Sequence, residues 1–337
     1  MLTSINMTTS KQDMDRFSDR KHLREFYRQH GIDGIELMPV GEVELPDKVT
    51  REDINGVHLS FLPYWYEFWR GNTEALNRQF GEEKLWQEYY GGSDRTVLLE
   101  RLTQELDFAQ QMNAGYVVFH ISESSLDECL TFQQIHTDEE ICDAAAEIIN
   151  AVLDKKEYRF EFLCENLWWS GMTLVRPEIT KRMMDAIHYE KKGIMLDTGH
   201  LLHTNRSLRT QEEGVQYIHE ILDRNGELCR YIRGIHLQQS LCGEYVERFL
   251  QEPRDLNIPC MEKMMLVFPH IFDIDRHKPF TAKGVSDLIR RIAPEYLTYE
   301  LITENNEVHE AALKEQLLAL KDLEGLCDAD RYTSCGR

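Results

Sequence analysis

The chain has 337 residues, 42% of them hydrophobic, enough for one large α/β domain or two ordinary ones. Its formal net charge of −21 repels polyanions, so a nucleic-acid backbone is disfavoured as a partner. Eight cysteines form no C-x-x-C pair, which argues against a zinc ribbon or thioredoxin motif, and there is neither a basic-then-apolar leader nor an apolar run of about 18 residues; a cytoplasmic protein without a membrane span is expected.

Short apolar runs alternate with longer amphipathic stretches. In chain order the expected strands are Leu2–Thr8, Ile32–Met38, Gly56–Phe61, Gly115–Ser122, Tyr158–Glu165, Gly193–Asp197, Ile232–Leu237 and Tyr296–Ile302. The expected helices are Asp13–His30, Arg95–Met112, Asp138–Lys155, Pro177–Tyr189, Thr210–Arg224, Thr281–Ile292 and Asn306–Leu323. Eight strands alternating with helices predict parallel pairing and a closed (β/α)₈ barrel of one domain over residues 1–337. Two loops exceed what such a barrel needs: about 62–90 after the third strand, rich in aromatics, and about 240–269 after the seventh. Loops after strands lie on the active face of this fold, so either can wall a substrate site.

Side chains alternate across a strand, and seven of these strands share one pattern. One face is apolar and suits the outer helices. The other places a polar group near the strand's C-terminal end: Glu36, His58, His120, Glu165, Asp197, His236 and Glu300. Burying so many such groups unpaired would cost several kcal/mol each, of order 3–5. A shared divalent cation resolves the conflict, because it compensates the carboxylates and accepts imidazole lone pairs. Two further pairs point the same way. His200 follows Asp197 across a tight Thr-Gly turn, and Asp275 and His277 occupy one face of a run, Ile271–His277, expected to be extended. Glu36 is expected to line the pocket, with Trp65 and His200 as substrate contacts. The bland alternatives are a hydrogen-bonded core histidine at His58 and aromatics that only pack their own insertion.

At these residues the chain resembles the xylose isomerase-like TIM barrels, through Gly31-Ile-Asp-Gly-Ile-Glu-Leu37, Cys164-Glu-Asn166, Leu196-Asp-Thr-Gly-His200, Gly234-Ile-His-Leu237 and Tyr299-Glu-Leu301. In the sugar isomerase and epimerase branch, the resemblance implies one divalent ion, often manganese, on Glu165, Asp197, His236 and Glu300. Glu165 and Glu300 would there serve as catalytic acid and base through an enediolate, on a small carbohydrate-like substrate. In the endonuclease IV-type branch of AP endonucleases it implies three zinc ions, adding His58, His120, His200, Asp275 and His277. Ser122, Gln238-Gln239 and Phe280-Thr281 depart from that branch, where Gly, Asn-Asp and Gly-Glu-Gly are usual. The first expectation is therefore a metal-dependent isomerase or epimerase. A multi-metal phosphodiesterase is the alternative, with one to three ions of manganese or zinc and the oligomeric state left open.

Overall fold

The computed structural model describes residues 1–60 and 62–323. Eight parallel strands close into a barrel, each paired with its neighbours in chain order. We label them β1 (Leu2–Thr8), β2 (Gly34–Met38), β3 (Ile54–His58), β4 (Tyr116–His120), β5 (Glu161–Glu165), β6 (Lys192–Asp197), β7 (Ile232–Leu237) and β8 (Tyr296–Tyr299). The alternation explains the closure. Ile35, Leu37, Val57, Val117, Phe162, Cys164, Ile194, Leu196, Ile235, Leu237 and Leu297 pack into one continuous apolar core. A separate cluster of Tyr116, Val118, Leu163 and Met195 is fully buried. These four belong to the opposite strand face and plug the barrel interior below the polar tips. Tyr116 fits because β3 carries Gly56 beside it. A Cβ at Gly56 would stand 2.2 Å from the tyrosine ring.

Several expected boundaries shift. The helix expected over Asp13–His30 is two, Lys11–Met14 and Arg20–Arg28, because Ser10 and Asp19 each cap their own start by accepting from Asp13 N and His22 N. Phe61, the expected end of the third strand, lies outside the described residues. The aromatic insertion folds as three short helices, Tyr66–Arg70, Thr73–Phe80 and Glu83–Tyr90. Its rings make a small core of their own with Tyr64, Phe68, Leu76, Phe80, Trp86 and Tyr90. The second insertion forms the helices Gly243–Gln251 and Cys260–Ile274 and returns to the barrel through an antiparallel bridge between Gln239 and Lys278. Among the described residues no helix is long and apolar enough to cross a membrane.

Candidate metal centre

The C-terminal ends of β2 to β8 and the loops just beyond them converge. There are four groups of His, Asp and Glu, and within each group the ligand atoms all lie within 4.8 Å of one another. Three of them form a chain: His58, His120 and Glu165; then Glu165, Asp197, His236 and Glu300; then His200, Asp275 and His277. The fourth joins Glu36 to His58 and His236. Glu165 is common to two sets and sits at their junction. One of its oxygens lies 3.0 Å from His58 Nε2 and 2.9 Å from His120 Nε2, and the other lies 2.9 Å from His236 Nδ1. Glu300 Oε2 stands 3.3 Å from His236 Nδ1, and Asp275 Oδ2 stands 3.2 Å from His200 Nε2. Ligands in a tetrahedral zinc shell with bonds near 2.1 Å stand about 3.4 Å apart. The donor sets are already on that scale.

Hydrogen bonds outside the sets fix which ring nitrogen faces inward. His58 Nδ1 donates to the Leu59 carbonyl at 2.9 Å, and His200 Nδ1 donates to the Asn166 carbonyl at 2.9 Å. Both rings therefore offer Nε2. His236 is reversed: its Nε2 lies 2.9 Å from Glu36 Oε1, so Nδ1 faces the other carboxylates. Glu36 is held in turn by Tyr116 Oη at 2.7 Å and Thr298 Oγ1 at 2.9 Å. Glu36, expected to line the pocket, does reach its wall, and it also orients His236.

Charge supports the same conclusion. Burial, together with the Glu300 and Glu165 carboxylates, raises Asp197 well above the usual carboxylate range against the pull of His200. Burial would also raise Glu165, but the imidazoles of His120 and His236 more than offset it and hold that group well below. Five carboxylates, at Glu36, Glu165, Asp197, Asp275 and Glu300, are buried or nearly so in one place. The imidazoles stabilise some and leave Asp197 crowded. A donor set of carboxylate oxygens and imidazole nitrogens suits zinc or manganese. The residues present fit divalent ions.

The structure corrects the expectation for Asp275 and His277. The segment Ile271–Ile274 is the last turn of a helix rather than an extended run, and Asp273 within it is exposed. The helix ends at Asp275, and Ser240 captures the next two residues. Its hydroxyl accepts from Arg276 N at 2.8 Å and His277 N at 3.1 Å. Trp65, expected as a substrate contact, is held by the fold. Its indole N–H donates to the Ser122 carbonyl at 2.7 Å, and its ring is buried in the main core.

Sequence reasoning missed Gln238 as a participant. Its Nε2 donates to Asp197 Oδ1 and to Asp275 Oδ1, each at 3.1 Å, and so ties two donor sets together. Gly199 makes room for it, since a Cβ there would stand 2.0 Å from the Gln238 amide oxygen. Sequence reasoning also passed over His203. It is buried and its Nε2 lies 3.6 Å from Asp275 Oδ1. The i, i+3 spacing of His200 and His203 was the signal, since on a helix it puts both on one face.

A pocket of about 480 Å³ opens onto this centre. His58, His120, His200, Asp275, His277 and Glu300 line it, while Glu165, Asp197 and His236 lie behind them, fully buried.

The class these features define is a closed (β/α)₈ barrel with histidine and carboxylate donor sets, able to hold metal, at its C-terminal mouth. The chain belongs to the xylose isomerase-like TIM barrel family, whose model matches residues 25–322. Among solved structures it is similar to a putative xylose isomerase from Rhodospirillum rubrum, at 13% identity and a TM-score of 0.53, over 96% of this chain and 99% of that one. It is similar to an L-ribulose 3-epimerase at 10% identity and a TM-score of 0.50, over 100% of each chain. Endonuclease IV from Thermus thermophilus aligns at 13% identity with a TM-score of 0.48, over 96% of this chain and 100% of that one. At these identities the likeness concerns the fold. No curated protein matches the sequence.

Proposed function

We propose that the chain is a multi-metal hydrolase acting on a phosphoester, the reading that ranked second on sequence alone. The observation that carries it is a pair of donor sets sharing Glu165, with a third set, His200, Asp275 and His277, beside them. A one-ion isomerase needs Glu165 as a proton-transferring base at the substrate. Here Glu165 is 0% exposed, does not line the pocket, and spends both oxygens on imidazoles. A bridging role suits it better.

When bound, divalent ions supply Lewis acidity and positive charge at the phosphoryl group. His58 and His120 with Glu165 would hold one, Glu165, Asp197, His236 and Glu300 a second, and His200, Asp275 and His277 a third. Of the carboxylates on the pocket wall, Glu300 and Asp275 belong to the second and third donor sets, so they are placed to take a proton from water there. Glu36, Asn166 and Gln238 keep the ligands oriented, which limits reorganisation during the reaction. Arg16 is the only Lys or Arg on the described pocket wall, and its Nε is tied to Asn306 at 2.8 Å. With a net charge of −21, a small ester is favoured over a nucleic acid.

The isomerase reading keeps one specific support: the set of Glu165, Asp197, His236 and Glu300 is complete by itself for a single ion. Turnover separates the two. Zinc- or manganese-loaded protein is expected to hydrolyse bis(p-nitrophenyl) phosphate and to leave a panel of ketoses unchanged. Ketose epimerisation without ester hydrolysis would reverse the choice.

A further inference from the structure

The pocket has an apolar half. Met7, Met38, Leu301, Ile302 and Phe272 share its wall with the donor residues. Two of them stand well out into solvent, Phe272 at 56% exposure and Ile302 at 48%. Single exposed apolar side chains are ordinary, but a contiguous set marks a contact surface.

Phe272 also ends a stripe. Met261, Met265, Phe268 and Phe272 recur at intervals of four, three and four along the helix Cys260–Ile274, which puts them on one face. All four are more than half exposed. At 1.5 Å per residue the stripe is about 16 Å long. The helix itself is anchored. Val267, His270 and Ile274 are buried, and His270 bonds to Tyr245 Oη at 2.8 Å and to the Cys129 carbonyl at 3.1 Å. The outward face is thus fixed by the packing of the inward one. A continuous apolar track begins on the pocket wall and leaves along a single helix. Beside it, Arg16 is the one Lys or Arg on the described wall and its Nε is tied to Asn306, so no second anionic group of a substrate is invited.

We infer that the substrate is an amphiphile, with one polar head at the donor sets and an alkyl chain laid over Phe272 and along the Met265–Phe268 stripe. This rests on the phosphoester reading for the head alone; the tail stands on the track.

The test is calorimetric binding of straight-chain alkylphosphonates, methyl to octyl, to the zinc-loaded full chain below their micelle concentrations. Partial burial of each methylene on an open track gives about a twofold gain per carbon. Over the seven added carbons, octylphosphonate is therefore expected to bind about a hundredfold more tightly than methylphosphonate. Phe272→Ala, and separately Met265→Ser with Phe268→Ser, should flatten that series. Octyl and methyl β-glucoside form the companion pair. A chain-length gain with the glucosides and no binding of any phosphonate keeps the tail and overturns the phosphoester head. A flat series with both heads overturns the proposal. If that flat series accompanies a dimer, seen by light scattering, that Met265→Ser with Phe268→Ser dissociates, the face belongs to a second copy of the chain.

Discussion

Glu165→Gln is expected to lower turnover by about a thousandfold while leaving the barrel folded, because this one carboxylate serves two donor sets. The amide is nearly isosteric, so the core around β5 is undisturbed. Its loss is electrostatic. Gln offers one neutral acceptor where His58, His120 and His236 meet two charged oxygens, and its NH₂ group would face imidazole lone pairs. The set of His200, Asp275 and His277 does not include Glu165 and should keep its ion. The variant should therefore retain about one ion of three, read by elemental analysis alongside steady-state kinetics and circular dichroism. Wild-type turnover in this variant would remove Glu165 from the centre of the account.

Removing the metals is expected to destabilise the wild-type chain strongly. Each ion present at about a thousandfold excess over its Kd contributes about 4 kcal/mol to the folded state. A domain of this size shifts by roughly 2 °C per kcal/mol, so three ions correspond to a fall of roughly 20 °C in Tm on chelation. The physical source is visible in the fold. Asp197 is raised by burial and by its carboxylate neighbours, and Glu165, Asp197 and His236 have no exposure through which water could replace the ion. Differential scanning calorimetry before and after chelation, with metal added back, measures the effect. An unchanged Tm in protein shown to have lost its metal would mean that the cluster is satisfied by its own hydrogen bonds.

Much of this was legible in the sequence because a strand forces alternation. Once Ile35, Val57, Val117, Phe162 and Leu196 are assigned to the helix-facing side, the polar residues between or beyond them have one place to go, the barrel mouth. The same logic does not reach residues whose role depends on a turn. Gln238 was visible only as a departure from a related motif, and nothing local shows that Gly199 makes way for its amide. The second insertion was expected to end near Pro269, ahead of an extended run, and proline lacks the N–H an interior helical turn uses. The helix runs through it to Ile274, which places Asp275 at a helix end and Phe272 on the pocket wall. The aromatic insertion misled for a different reason. Trp and Tyr serve equally well as a substrate lid or as a small core, and only the packing of Phe68 on Tyr90, with rings 3.9 Å apart, decides for the core.

The most direct test of the linked donor sets is the number of ions held by the full-length chain. Elemental analysis of protein purified without chelators and supplied with zinc should return three ions per chain, falling to two when Asp275 is replaced by alanine. A single ion in the wild-type protein, unaffected by that replacement, would contradict the linkage through Glu165 and return the chain to one-metal chemistry.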